Sequence, residues 1–325
     1  MGVRQKSRSV ALRLPVLGRL IRERAQFAAE RDHALLRLHH VWPGPAIGNA
    51  AMWMPPGHFY SPLPSLDEVA ARYDQIFRPD NRELLGIDLR THSQRALLDE
   101  FAATYASIPF PADRSDQYRY YFDNPAYSWS DGIIFHSMLR KLRPNRIIEV
   151  GSGYSSALAL DTNELFLDGA TSITFIEPYP ELLSSLIRDS DPCEIIPLPV
   201  QDVPVSRFEE LEAGDILFID STHAAKAGGD VNYLYFEVLP RLKAGVYIHI
   251  HDIFDGFEYP PPWVMEGRGW TEQYVLRAML MHNARLEVVF FNTYMERVEE
   301  AWFAEHMPNC LRNRGGSIWL RTVQP

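Results

Sequence analysis

"RIIEVGSGYSSALAL", residues Arg146 to Leu160, is the stretch from which the rest of the chain can be read. A short apolar run, Ile147, Ile148 and Val150, meets a turn with two glycines. An alanine- and leucine-rich helical pattern follows. Glycine lets the backbone turn tightly and come close to a ligand. The N-terminus of the next helix offers free N–H groups to an anionic or polar ligand. A plain tight turn has the same look, so the surroundings have to decide.

Working outward, the pattern from about residue 128 alternates helices with short apolar strands. Strands are expected at Arg146–Val150, Ser172–Ile176, Cys193–Pro197, Ile216–Ile219, Val246–His251, Leu286–Asn292 and Ser317–Arg321. Helices are expected at Ser130–Arg143, Tyr154–Asp161, Pro180–Arg188, Asp230–Leu239 and Thr271–His282. Such alternation predicts an α/β fold, a doubly wound and mostly parallel sheet covered on both faces. Ligands of such sheets bind beyond the carboxyl ends of the strands, so the loops that follow the strands are where chemistry is sought.

Those loops carry polar residues in a definite order. At the end of the first strand stand Glu149 and then Gly151, Ser152, Gly153, Tyr154, Ser155 and Ser156. The second is followed by Glu177 and Pro178, and an acid at that place can accept two hydrogen bonds from a ribose diol. After the third come Gln201 and Asp202, placed to bond the edge of a purine or simply to make a turn. The fourth delivers Asp220 and His223 in "IDSTHAAKAGGD". The fifth delivers His249, His251 and Asp252 in "HIHDIFDGFEYPPPW". A lone histidine is usually structural, whereas acids and histidines gathered on one sheet edge suit acid–base work or metal ligation.

Taken together, "IIEVGSGYSS", "FIEPYPELL", "LFIDSTH", "LPRLKAGVYIHIHDIF" and "GGSIWLR" resemble the motifs of class I S-adenosylmethionine-dependent methyltransferases. They are most similar to the bacterial branch that includes small-molecule and sugar O-methyltransferases. The resemblance covers about residues 128–321. It implies a seven-stranded Rossmann-like sheet whose last strand runs antiparallel between two others, with S-adenosylmethionine as cofactor. It also implies that Glu149 and the Gly151–Ser156 turn hold the amino-acid part and sugar of the cofactor. Glu177 would bind the ribose, Gln201 and Asp202 would face the adenine, and Tyr127 and Asp131 would close over the cofactor. Asp220, His223, His251 and Asp252 would line the methyl-acceptor side. Metal-dependent relatives place oxygen ligands where this chain has Asp220, His251 and Asp252. A histidine in that set suits zinc, iron or manganese better than magnesium. Many such turns also carry a third glycine, where this chain has Ser155 and Ser156.

Three segments are expected: a basic helical arm over 1–40, a Pro- and aromatic-rich linker with a helical extension over 41–127, and the methyltransferase domain over 128–325. The arm holds nine Arg/Lys against three Asp/Glu. The net charge of the whole chain is −10, so the remainder is strongly acidic, which fits a nucleic-acid binder poorly. The arm reads as a helix packing on the body or on a second subunit, as in a homo-oligomer. A helix on an anionic membrane surface and a transit peptide are the other readings. Two cysteines without a CxxC pair fit a reducing, cytoplasmic setting, and no run is long and apolar enough for a membrane span.

The expected activity is methyl transfer to a small-molecule or sugar hydroxyl. The expected acceptor pocket lies over Phe254–Trp263. Two readings compete. Gly151, Gly153 and Ser156 approximate GxGxxG, and Glu177 would serve an NAD(P)-dependent oxidoreductase equally well. The fold can also persist in a catalytically silent protein.

Overall fold

The computed structural model describes residues 54–78 and 83–324. The basic arm over 1–40 therefore lies outside the described residues. The chain divides into two compact units, Met1–Tyr73 and Asp74–Pro325. In the described part of the first, the Gly57 N–H donates to the Leu63 carbonyl at 3.1 Å. A short helix, Leu66–Ala71, follows, with Asp67 and Glu68 in its first turn. The acids complement the partial positive charge of that helix end.

The second unit is built on one seven-stranded sheet of β1 (Arg146–Val150), β2 (Ser172–Ile176), β3 (Cys193–Ile196), β4 (Ile216–Ile219), β5 (Tyr247–His251), β6 (Leu286–Phe291) and β7 (Ser317–Thr322). The strand order is β3-β2-β1-β4-β5-β7-β6. The first five run parallel to one another. β7 runs antiparallel between β5 and β6, as the sequence motifs imply. The dinucleotide-binding order 3-2-1-4-5-6 has no such inserted strand, which counts against the oxidoreductase reading.

The helices of this unit that matter to the site are α1 (Thr91–Tyr105), α2 (Trp129–Leu142), α3 (Tyr154–Phe166), α4 (Glu181–Leu186), α5 (Asp230–Tyr233), α6 (Pro261–Met265), α7 (Glu272–Leu280), α8 (Asn292–Val298) and α9 (Glu300–His306). Side chains alternate across each strand, so the sheet separates two cores. Ile147, Ile173, Phe175, Ile216, Phe218 and Trp319 join the core that includes residues of α1, α2 and α3. Ile148, Val150, Leu217, Ile219, Ile248, Ile250, Ile318 and Leu320 join the one that includes residues of α5 and α7.

Three departures from the sequence expectation have physical reasons. The unit holding the sheet begins at Asp74, so the described residues of 74–127, read as part of an extension, fall within that unit. Phe110, Tyr120, Phe122 and Tyr127 from it lie in the same core as α2. The buried Arg119 is its polar fastening, reaching Asp161 and Glu164 on α3 at 2.5 and 2.7 Å and Asp191 through Nε at 2.8 Å. The helix expected over Asp230–Leu239 is α only to Tyr233. It widens to a π turn over Leu234–Val238 and closes in a 3-10 turn over Leu239–Arg241, where Pro240 has no N–H to continue the ladder. Asn292, expected in a strand, begins α8, and α8 and α9 fill a stretch for which no helix was expected.

Candidate active site

The Gly151–Ser156 turn is held by its own side chains. Gly151 has φ +80, and a Cβ there would lie 1.7 Å from the Asp220 carbonyl oxygen, so only glycine allows β1 and β4 to leave the sheet side by side. The Asp220 N–H donates to Val150 at 2.8 Å and the Gly151 N–H to Ile176 at 3.0 Å. Glu149 is wholly buried, and its Oε1 accepts from the hydroxyls of Ser155 (2.6 Å) and Ser156 (2.8 Å). Ser156 Oγ in turn accepts from the Gly153 N–H at 3.0 Å. The serines in place of a third glycine thus satisfy one oxygen of a buried acid. The other, Oε2, is buried with no hydrogen-bond partner, and burial pushes the carboxyl up to about 8. A cationic or donor group brought beside Oε2 would restore its charge.

Glu177 closes the next corner. It accepts from the Ser152 N–H at 3.1 Å and the Tyr179 N–H at 2.8 Å. Its half-buried carboxylate is thereby aimed over the turn, with lone pairs left for a diol. Pro178 fixes the chain between these two contacts. Gln201 and Asp202 sit in an exposed 3-10 turn after β3, where Gln201 Nε2 donates to the Gly228 carbonyl at 3.2 Å.

The ends of β4 and β5 bring the acceptor-side residues together. His223 Nε2 lies 3.3 Å from Asp220 Oδ1 and 3.3 Å from Asp252 Oδ2. Its Nδ1 is 2.8 Å from Glu272 Oε2. His251 Nδ1 is 3.3 Å from Asp220 Oδ1, and its Nε2 is 3.6 Å from Asp131 Oδ2. His223 and Asp252 both have left-handed backbone, φ +57 and +55. A non-glycine residue in that region costs of order 1–3 kcal/mol and persists only when its surroundings over-determine it. Here they do: the N–H groups of Thr271 and Glu272 both donate to the His223 carbonyl, at 2.8 and 3.0 Å. The carboxylates outweigh the desolvation of the ring and raise His223 to about 10. They raise His251 well above the usual histidine range too. The same pairings overcome burial at Asp220 and lower its carboxyl.

Tyr127 and Asp131, expected to close over the cofactor, face the histidines. The Tyr127 hydroxyl is 3.4 Å from His249 Nε2, and its ring centroid lies 5.0 Å from that of His251. Asp131 accepts from Ser317 Oγ at 2.7 Å, the Gly316 N–H at 3.1 Å and Asn292 Nδ2 at 3.1 Å. His249, two residues before His251, is buried among Phe218, Trp319 and Phe135. Burial lowers its pKa to about 3, so it stays neutral and structural.

Two residues of the site were not singled out from the sequence. Glu272 opens α7 and is fully buried. Trp270 stands 4.5 Å from His223, ring centroid to centroid. Trp270 also meets Trp263 and Tyr259 edge to face, and Phe254 meets Trp263 likewise, so the expected pocket residues do form one aromatic group beside His223. Trp129, the first residue of α2, stacks instead on Phe122 at 4.6 Å.

Among the described residues, Asp220, His223 and Asp252 place ligand atoms within 4.8 Å of one another, a group that could hold a metal ion. The expected set had His251 in place of His223. His251 is drawn between Asp131 and Asp220, which leaves His223 facing both other acids.

The match to known proteins falls on this site. Residues 148–253 match the family model described as a methyltransferase domain, which runs from β1 to just past β5 and so spans the turn, Glu177, Asp220, His223, His251 and Asp252. The chain carries a methyltransferase domain, in keeping with the class I S-adenosylmethionine-dependent family that its motifs resemble. It is 40% identical over 163 residues to an uncharacterized protein of Archaeoglobus fulgidus, across 49% of this chain and 73% of that one. It is similar at 18% identity to the S-adenosylhomocysteine-bound methyltransferase PaMTH1 of Podospora anserina, over 80% of this chain and 96% of that one, with a TM-score of 0.40. The O-methyltransferase TomG of Streptomyces achromogenes matches at 12% identity over 79% and 96%, with a TM-score of 0.37. No helix among the described residues is long and apolar enough to cross a membrane.

Proposed function

We propose that this methyltransferase transfers the methyl group of S-adenosylmethionine to a hydroxyl oxygen of a small molecule, a sugar or a ring-bearing natural product. The observation that carries this reading is the convergence of Asp220, His223 and Asp252 beside the Gly151–Ser156 turn. Sulfonium-bound methyl is already electrophilic, so the enzyme has to align the acceptor and dispose of its proton. The cofactor lies over the turn, its ribose on Glu177 and its amino-acid end toward the unpartnered Oε2 of Glu149. The aromatic group of Phe254, Tyr259, Trp263 and Trp270 supports the acceptor's ring. The acceptor oxygen forms its bond to the methyl carbon as the carbon–sulfur bond breaks. Sulfur keeps the electron pair as S-adenosylhomocysteine, and the hydroxyl proton passes to His223 Nε2.

His223 first has to be free to take it. Its carboxylate neighbours hold it protonated near neutral pH, so a second positive charge beside Asp220 and Asp252 is needed to release the Nε2 proton to solvent before the acceptor's proton is taken up. The sulfonium is one such charge. A divalent ion held by Asp220, His223 and Asp252 is the second reading, favoured by the close approach of their ligand atoms. Two carboxylates and an imidazole fit manganese, zinc or iron. Such an ion, when bound, would lower the hydroxyl's pKa.

The test is a panel of phenols, sugars and hydroxylated natural products, followed by release of S-adenosylhomocysteine. Turnover of a hydroxyl compound, lost in His223→Gln, is expected. Loss on EDTA treatment and recovery with Mn²⁺ or Zn²⁺ would select the metal reading. Activity that survives both EDTA and His223→Gln would place the chemistry elsewhere. Glu177→Ala removes a paired acceptor worth roughly 1.5–3 kcal/mol, so S-adenosylhomocysteine should bind about ten- to hundredfold more weakly by calorimetry.

A further inference from the structure

Helix α7 lies between β5 and β6 in the chain, and its first residue reaches into the site. Glu272 is fully buried, and a buried carboxylate is costly unless it is paired. Its Oε2 lies 2.8 Å from His223 Nδ1, a shorter contact than either carboxylate makes on the opposite nitrogen. The same residue grips His223 from the backbone as well. The Glu272 and Thr271 N–H groups both donate to the His223 carbonyl, and Thr271 Oγ1 accepts from the Ala225 N–H at 2.9 Å. The left-handed turn at His223 is thus fastened to the N-terminus of α7 through main chain and side chain together. An imidazole has two ring nitrogens, and the partner of one decides what the other can do.

We propose that Glu272 is the positioning residue of this site: it holds a proton on Nδ1 of His223 and so reserves Nε2 for the space between Asp220 and Asp252. The proposal rests on the reading that His223 belongs to the methyl-acceptor site, but it is indifferent to whether Nε2 meets a proton or a metal ion. In either case a ring free to rotate, or carrying its proton on the wrong nitrogen, would present nothing useful to the acceptor.

The direct test is spectroscopic and needs no acceptor. A hydrogen-bonded Nδ1–H facing a buried carboxylate gives a far-downfield, slowly exchanging proton resonance, whichever state Nε2 is in. The ¹⁵N-histidine-labelled full chain should show one, assigned to His223 by its disappearance in His223→Gln. It should vanish in Glu272→Gln, which keeps the shape and removes the anionic acceptor. Glu272→Asp, which keeps the charge and shortens the reach, should weaken or move it and guards against a Gln variant that fails to fold. S-adenosylhomocysteine affinity should stay at the wild-type value in both, showing an intact cofactor side. With an acceptor from the panel above, kcat should fall roughly 10- to 100-fold, the usual cost of losing an orienting outer partner, at unchanged acceptor KM. The proposal is overturned if the wild type lacks the resonance, if it persists in Glu272→Gln, or if kcat is untouched when it is lost. Should turnover survive His223→Gln, the assignment of His223 as the reacting imidazole fails, while the resonance still reports whether Glu272 holds it.

Discussion

Gly151 shows how much one residue can specify. Its φ of +80 lies where a Cβ is penalised, and the space a Cβ needs is taken by the Asp220 carbonyl. Gly151→Ala therefore meets a conformational cost on the order of 1–2 kcal/mol and a clash with main chain that cannot rotate away. The expected outcome is a lowered melting temperature and loss of S-adenosylhomocysteine binding, read by thermal shift and calorimetry. Wild-type binding in Gly151→Ala would show that the two strand ends can separate freely. Histidine was harder to read than glycine. His249 and His251 point to the same face of β5, two residues apart, and nothing local distinguishes them. Their fates are set by register: His249 pairs with Phe218 on one side and Trp319 on the other, whereas His251 emerges at the strand end among Asp131, Asp220 and Asp252.

At the scale of elements, legibility followed periodicity. β1, β2 and β4 lie where their apolar runs stand, because parallel strands buried on both faces carry mostly apolar sequence, unbroken in β4 and interrupted only by Glu149 inside β1 and Thr174 inside β2. α8 and α9 were missed because "NTYMERVEEAWFAEH" follows directly on the apolar run of β6, with no glycine or proline between them to mark a boundary. Glu272 escaped notice for a related reason: an acid at a helix start reads as a favourable dipole partner, and only the tertiary fold reveals a histidine beside it. α8 also carries a buried acid with a measurable consequence. Glu296 accepts from Ser130 Oγ and from the Gly315 N–H at 3.1 Å, and burial raises its pKa from 4.5 to about 8. A raised folded pKa means that the folded state binds the proton more tightly. Its contribution to stability is full below the unfolded value of 4.5 and is lost as pH climbs through about 8. Glu296→Gln cannot ionise, so its melting temperature relative to wild type should rise steadily between pH 5 and pH 8. A gain of 1 kcal/mol corresponds to roughly 2–4 °C for a domain of this order. A difference that stays flat across that range would mean that Glu296 is not held neutral.

At the scale of the whole molecule, the question is which part of the chain the chemistry needs. The turn, Glu177, the Asp220–His223–Asp252 group, Glu272 and the aromatic residues beside it all lie within Asp74–Pro325, the unit that carries the entire sheet and both cores. Segments such as 107–127, which sequence composition assigned to an extension, contribute buried aromatics and the Arg119 ion cluster to that unit. Removing them would open the core and strand Asp161 and Asp191, an uncompensated burial of charge worth about 3–5 kcal/mol. Among the described residues, those before Asp74 supply no strand and none of these site groups, and residues 1–40 differ from the acidic remainder in the sign of their charge. A chain beginning at Asp74 should therefore fold cooperatively and bind S-adenosylhomocysteine within roughly tenfold of the full chain, a difference of less than about 1.4 kcal/mol. Calorimetry on the two chains decides it, with circular dichroism to confirm that the shorter one is folded. A folded chain from Asp74 whose affinity falls by much more would show that the earlier residues complete the cofactor's site, and the division of labour between the two units would have to be redrawn.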